Sequence, residues 1–363
     1  MPAPPTRRRK LIDALQRTWQ RRGFASLVLL PAAALFGTVV ALRRRLYARG
    51  DLASSRLPVP VVVVGNLVVG GAGKTPVVIA VVAALRRHGF RPGVVSRGYG
   101  RDDDRRIEVV GLDSDAGQVG DEPLLLRRRT GAPVVVGRDR VAAAHALLAA
   151  EPAVDVVVSD DGLQHLALER DVEVLVFDER GAGNGRVLPA GPLREPLPGS
   201  TPAGRLVVYN AAAPTTPLAG HIARRMLLGA LPLDAWWRGE AASPDILASL
   251  QGRTLLAVCG VARPERFFAM LRERGLTIEE LALDDHHAFT TLPWPLTTAD
   301  VIVTEKDAVK LPPTVRIGSR VWVAALDLVP DPSFEPALVA LVAAAASPVL
   351  APSSSPPHGS PSP

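Results

Sequence analysis

The run GNLVVGGAGKTP, Gly65 to Pro76, places a lysine and a threonine directly behind a cluster of glycines, which is an arrangement able to grip a polyphosphate. Gly70, Gly71 and Gly73 open backbone angles closed to other residues, so that successive N–H groups, that of Ala72 included, can turn inward around an anion. Lys74 then reaches the β and γ phosphates, and Thr75 offers its hydroxyl to magnesium. Pro76 falls in the first helical turn, where a missing N–H costs little. The strict spacing GxxxxGK[ST] is not met. Its first glycine would stand at Val68, and the nearest earlier glycine is Gly65, so the loop is a variant.

A second group of chemistry-bearing residues lies in AVDVVVSDDGLQH, where an apolar run ends in Asp160 and Asp161. A carboxylate at the end of a neighbouring strand helps hold magnesium in P-loop enzymes. Adjacent side chains on extended backbone point to opposite faces, so both can approach one ion only if the strand has already ended, and Gly162 permits such a break. Gln164 and His165 follow in the loop. In VGDEPLLLRRR, Asp121 and Glu122 stand at the start of a helical run, where plain capping is the ordinary role of an acid. LALDDHHAFT supplies Asp284, Asp285, His286 and His287. Zinc ligation is the poorer use of that group, since neighbouring histidines lack helical ligand spacing; proton transfer or orientation by one histidine is the better one.

These residues need a scaffold, and the spacing supplies an α/β one. Val61 to Val64 is a continuous apolar run suited to a central parallel strand, and Val77, Val81, Ala84 and Leu85 are spaced for a helix. Further strands are expected at Gly93–Ser96, Pro133–Val136, Val156–Val158 and Val172–Phe177, followed by a Gly- and Pro-rich loop, GAGNGRVLPAGPLREPL. The pattern restarts near Gly204, with strands at Leu206–Tyr209, Leu255–Val258, Val301–Val303 and Val321–Ala324 and a helix opening near Arg263. The expected organisation is a basic and apolar anchor over 1–50, a P-loop parallel-sheet domain over 51–203, a smaller α/β domain over 204–346, and a disordered Pro- and Ser-rich tail over 347–363.

Composition narrows the setting. With 363 residues the chain can hold about two domains. A single cysteine, Cys259, excludes an internal disulfide framework and any CxxC metal site. The net charge of +6 is modest, but arginines cluster at Arg7–Lys10, Arg21–Arg22, Arg43–Arg45 and Arg127–Arg129, which suggests an anionic surface or substrate. Phe24 to Leu42 carries no charge and would span roughly 28 Å as a helix, barely enough to cross a bilayer. Arginines at both ends oppose crossing under the positive-inside tendency, so an interfacial anchor on the cytoplasmic leaflet is expected. Nothing in the sequence points to nucleic acid or to a protein partner.

Among nucleotide-using proteins, a GTPase is disfavoured because TEKD, Thr304 to Asp307, puts its lysine one place late for a guanine-reading motif. A partitioning-type ATPase is disfavoured because Val69 fills its signature basic position. A kinase acting on a membrane-borne acceptor unites anchor, basic clusters and loop; a membrane-tethered nucleotide switch without lipid kinase activity is the alternative. In this order, GNLVVGGAGKTP, VVSRGYGR, GDEPLLL, DDGLQH, LPAGPLREP, CGVARPERFF, DDHHAFT and TEKDAVKL closely resemble the tetraacyldisaccharide 4'-kinase family, the lipid A 4'-kinases, from about Leu46 to Val329. The resemblance implies transfer of the ATP γ-phosphate to the 4'-hydroxyl of a tetraacyl disaccharide 1-phosphate lipid at the cytoplasmic face of the inner membrane, in a cleft between two P-loop-like domains. It also implies that Lys74 binds the transferring phosphates and that Thr75 with Asp160 or Asp161 organises magnesium. Asp121 is then a base paired with His286, or with His287 in its stead, and Arg140, Gln164 and Glu195 fall on motif positions near the nucleotide.

Overall fold

The computed structural model describes residues 15–311 and 318–346; the basic segment Arg7–Lys10 and the tail from Ser347 lie outside them. Among the described residues twelve strands, numbered in chain order, form one sheet. Its centre is β1 (Val61–Gly65), flanked by β5 (Val156–Asp160) and β6 (Val172–Asp178), all parallel. Parallel strands are buried on both faces, which is why β1 reads as unbroken valine. Val62 and Val64 pack into the hydrophobic layer beneath the helix Lys74–Arg87, while Val61 and Val63 face the opposite layer with Leu147 and Leu163.

Beyond β5 come β2 (Pro92–Ser96), β4 (Val134–Val136) and a two-residue antiparallel edge, β3 (Glu108–Val109). On the other side β7 (Arg205–Asn210) continues the parallel run from β6 across residue 204, and β8 (His221–Pro232) follows it. Strand direction changes at β8, which is parallel to β7 through His221 and Ile222 and antiparallel to β12 (Arg320–Pro330) over most of its length. Next to β12 lie β11 (Asp300–Thr304), β9 (Thr254–Cys259) and β10 (Thr277–Ala282), all parallel to one another. The ends of strands in both parts line one cavity, the usual place for a ligand in such sheets.

The apolar N-terminal segment is not one helix. Phe24–Val28 is a short helix, and Leu30–Arg49 is a second that starts afresh at Pro31. No helix among the described residues is long and apolar enough to cross a membrane. The cluster Arg127–Arg129 is divided among three roles, and of its members Arg129 lines the cavity. Arg127 caps the end of its own helix through the Gly131 and Ala132 carbonyls, at 2.7 and 3.0 Å. Arg128 lies over the Trp236 and Trp237 rings at 4.7 and 4.3 Å, and Arg129 pairs with the buried Glu305. Arg128 and Arg129 bolt the helix Asp121–Thr130 to the second half of the sheet.

Candidate active site

The loop after β1 is shaped by glycine where the backbone demands it. Gly70 and Gly73 take φ of 98° and 78°, a region side chains avoid, and a Cβ on Gly65 would lie 2.7 Å from Leu163 of the acidic loop. The helix Lys74–Arg87 begins on Gly73 with no side chain capping its amides, which leaves its N-terminus open to an anion. Asn66, fully buried, donates to the carbonyls of Val68 and Gly70 at 2.6 and 3.1 Å and accepts from Lys74 Nζ at 3.3 Å. From β7, Asn210 donates to the Ala72 carbonyl at 3.1 Å. Both asparagines hold the loop, and neither stood out in the sequence.

The expected break between the two adjacent carboxylates is present. Asp160 is the last residue of β5, and Asp161 leaves the strand with φ of 50°. Asp161 Oδ2 stands 3.5 Å from Lys74 Nζ, and its Oδ1 stands 3.3 Å from Arg194. Asp160 Oδ2 accepts from Ser96 at 2.9 Å, while Oδ1 is buried without a partner. Burial first, then the Glu122 and Asp161 carboxylates, push the Asp160 pKa up to about 7. A buried, orphaned carboxylate oxygen at that position suits a hard cation, and a cation shared with phosphates needs only one or two protein carboxylates. The described residues hold no cluster of three or more His, Cys, Asp or Glu side chains placed to bind a metal. Thr75, Arg140 and Gln164 line the same cavity of about 850 Å³. Arg140 is tied to the Gly137 and Arg138 carbonyls at 3.1 and 3.2 Å, with its Nε buried and unpartnered. Glu195 accepts from Gln164 at 3.0 Å.

Asp121 does two things at once. Its Oδ1 accepts from the neighbouring Glu122 N–H at 2.9 Å in the first helical turn, although the N-cap position itself is Gly120, and its Oδ2 stands 2.9 Å from His286 Nδ1, a residue 165 positions away. Lys310 Nζ lies 3.4 Å from the same oxygen. Asp121 sits behind the cavity wall, and His286 is on it, together with Glu122, Asp285 and Lys306. Lys306 Nζ is 2.9 Å from Glu122 and 3.4 Å from both Asp285 and His286 Nε2. His286 adopts φ of 62°, an uncommon conformation for a non-glycine residue at a site where orientation matters. His287 faces elsewhere, accepting from the Phe289 N–H at 3.1 Å and packing against that ring. Lys306 and Lys310 are the residues sequence reasoning passed over. Their spacing of one helical turn in TEKDAVKL, behind the Thr304 cap, was the available signal.

The hydrogen bond from Asp121 raises the His286 pKa above the ordinary histidine value, against burial and Lys306. Burial alone would raise the Asp121 pKa, but the hydrogen bond with His286 and the charges of Lys306 and Lys310 outweigh it and hold Asp121 below the usual carboxylate range. The linkage follows from the direction of each shift. The His286 contribution to stability is fully present below about pH 6.5 and is lost as pH rises through its higher folded value. The Asp121 contribution is present above about pH 4 and is lost as pH falls through its lower folded value. Histidine NMR titration, with the His286 signal assigned by His286→Gln, should show a pKa above about 6.5 that drops in Asp121→Asn. A wild-type His286 titrating at or below that value would contradict the contact.

Residues 25–343 match the family model described as LpxK, tetraacyldisaccharide-1-P 4'-kinase. A tetraacyldisaccharide 4'-kinase of Methylibium petroleiphilum is 58% identical over 342 residues, covering 93% of this chain and 95% of the relative. Its counterpart in Leptothrix cholodnii is 56% identical, covering 87% and 92%. Among solved structures, LpxK from Aquifex aeolicus in complex with ATP is similar with a TM-score of 0.72 and 26% identity, covering 88% of this chain and 99% of that one.

Proposed function

The chain belongs to the tetraacyldisaccharide 4'-kinase family, and we propose that Lys74, Asp121 and His286 carry out that family's reaction in the cavity described above. The enzyme transfers the γ-phosphate of ATP to the 4'-hydroxyl of a tetraacylated glucosamine disaccharide 1-phosphate in lipid A biosynthesis. The observation that carries the residue assignment is the 2.9 Å contact of Asp121 with His286 at a cavity that also holds Lys74 and the acidic loop.

ATP occupies the Gly70–Thr75 loop, its phosphates against the open amides of the helix start and the Lys74 ammonium. The Thr75 hydroxyl with Asp160 or Asp161 would hold magnesium, which would supply neutralisation of the triphosphate charge. The acceptor hydroxyl gives its proton to the Asp121–His286 pair, in which the carboxylate fixes the imidazole tautomer and balances the positive charge that develops on the ring. Lys306 beside His286 Nε2 supplies positive charge where the γ-phosphate must arrive. The relatives lend no support to a nucleotide switch.

The acceptor lipid arrives from a membrane surface. On the helix Leu30–Arg49, Leu35, Val39 and Leu42 share an exposed face, and Phe24 on the preceding short helix is 82% exposed. With Arg43, Arg45 and Arg49 beside that face, the pair of helices suits shallow seating in an acidic leaflet, the cytoplasmic face of the inner membrane. The test uses purified protein in detergent with radiolabelled ATP and a tetraacyl disaccharide 1-phosphate. Label should move to the lipid on thin-layer chromatography, and the protein should sediment with acidic-lipid vesicles. Nucleotide binding with no labelled lipid would overturn the assignment.

A further inference from the structure

The loop from Asn184 to Glu195 is a seat for the N-terminal helices on one side and a brace for the phosphate loop on the other. Ser26 donates to the Ala190 carbonyl at 2.6 Å, Asn184 donates to Ser26 at 3.0 Å, and Trp19 donates to the Pro189 carbonyl at 2.9 Å. On the inner side the Val69 N–H donates to the Pro192 carbonyl at 2.9 Å and the Arg194 N–H donates to the Leu67 carbonyl at 2.7 Å. Side chains cross the same ground. Arg44, on the helix with the exposed apolar face, stands 2.7 Å from Glu195. Glu195 accepts from Gln164 at 3.0 Å, Gln164 accepts from Arg194 at 3.0 Å, and Arg194 stands 3.3 Å from Asp161, which faces Lys74.

We propose that Arg44 is a positioning residue for phosphoryl transfer: acting through Glu195, Gln164 and Arg194, it sets the Asp161 carboxylate against Lys74. The proposal rests on the kinase reading of the cavity. An ion pair exposed at both ends contributes little. Here the Arg44 side chain is 42% exposed but that of Glu195 is only 6% exposed, so loss of the guanidinium leaves a buried carboxylate whose other described partner is the Gln164 amide. An amide drawn toward Glu195 releases Arg194, and Asp161 loses one of its two cationic neighbours. Because Arg44 rides on the lipid-facing helix, seating of that helix and readiness of the phosphate site are linked.

The experiment compares wild type with Arg44→Ala, Arg44→Lys, Glu195→Gln and the double variant Arg44→Ala/Glu195→Gln. Arg44→Ala should weaken binding of a fluorescent ATP analogue with magnesium, in the absence of lipid, by about tenfold. It should lower kcat on the tetraacyl lipid by a similar factor while the lipid KM stays within about twofold, and the fall in Tm expected from the unpaired Glu195 carboxylate should be relieved in the double variant without recovery of kcat. Arg44→Lys should recover most of the loss, and the double variant should be no worse than Glu195→Gln alone. Wild-type nucleotide affinity and kcat in Arg44→Ala would overturn the proposal, as would a rise in lipid KM alone or additive losses in the double variant. If wild type transfers no phosphate to lipid, the kinase reading fails, and the nucleotide-affinity measurement still decides the role of Arg44.

Discussion

Lys74→Ala is expected to cut phosphate transfer by about 10³-fold or more, or roughly 4 kcal/mol of transition-state stabilisation. The lysine is already held where its charge is needed, 3.3 Å from Asn66 Oδ1 and 3.5 Å from Asp161, with its side chain only 12% exposed. Little reorganisation is then required when charge shifts on the phosphates, and preorganised charge in a site shielded from water is the largest single catalytic term. The amides of the helix that begins at Lys74 survive the substitution, so nucleotide binding should weaken without vanishing. The measurement is transfer of labelled phosphate to the lipid, with binding of the ATP analogue followed in parallel. Retention of more than about a tenth of the wild-type rate would show that the amides and Arg194 suffice, against the usual weight of such a charge.

The parts of this site that were legible in the sequence are those built from local order. Valine run, glycines, lysine and helix follow one another in the chain, and the structure keeps them consecutive from Val61 to Arg87. The carboxylate ending β5 was legible for the same reason. Asp121 was ambiguous because an acid at a helix start looks like a cap whatever else it does, and here one oxygen does bond the next amide of the helix. Its partner His286 could be identified only through a family resemblance, since no local rule joins residues 165 positions apart. Lys306 and Lys310 were missed because a short helix carrying both signs of charge reads as a solvated surface. Both are instead drawn inward by Glu122 and Asp121, from a helix in the other half of the sheet. Strand β8 was not legible because it lacks an unbroken apolar run like that of β1 and carries Arg224 and Arg225 in its middle. Arg225 has work there, since its Nε donates to Asn210 beside the phosphate loop.

Asp121→Asn separates the chemistry of the pair from its architecture. The amide keeps the size of the side chain and a hydrogen-bonding group facing His286, but it can neither hold negative charge nor stabilise an imidazolium. Expected is a fall in kcat of about 10²–10⁴-fold with nucleotide affinity near wild type, because the lost function is proton acceptance and not phosphate handling. His286→Gln should cost a comparable amount, and the double variant little more, since groups acting as a unit are not additive. One consequence must be kept apart from catalysis. Lys310, its side chain 6% exposed, stands 3.4 Å from Asp121 and 3.7 Å from Asp307, so neutralising Asp121 leaves a buried ammonium less compensated and should lower stability by about 1–3 kcal/mol. Lys310→Met added to Asp121→Asn should restore much of the thermal stability without restoring transfer. If the added substitution recovered activity as well, the loss in Asp121→Asn would be one of folding, and the proton would have to leave the sugar hydroxyl by another route. If Asp121→Asn alone transferred phosphate at the wild-type rate, the pair would be a strut joining the two halves of the sheet and nothing more.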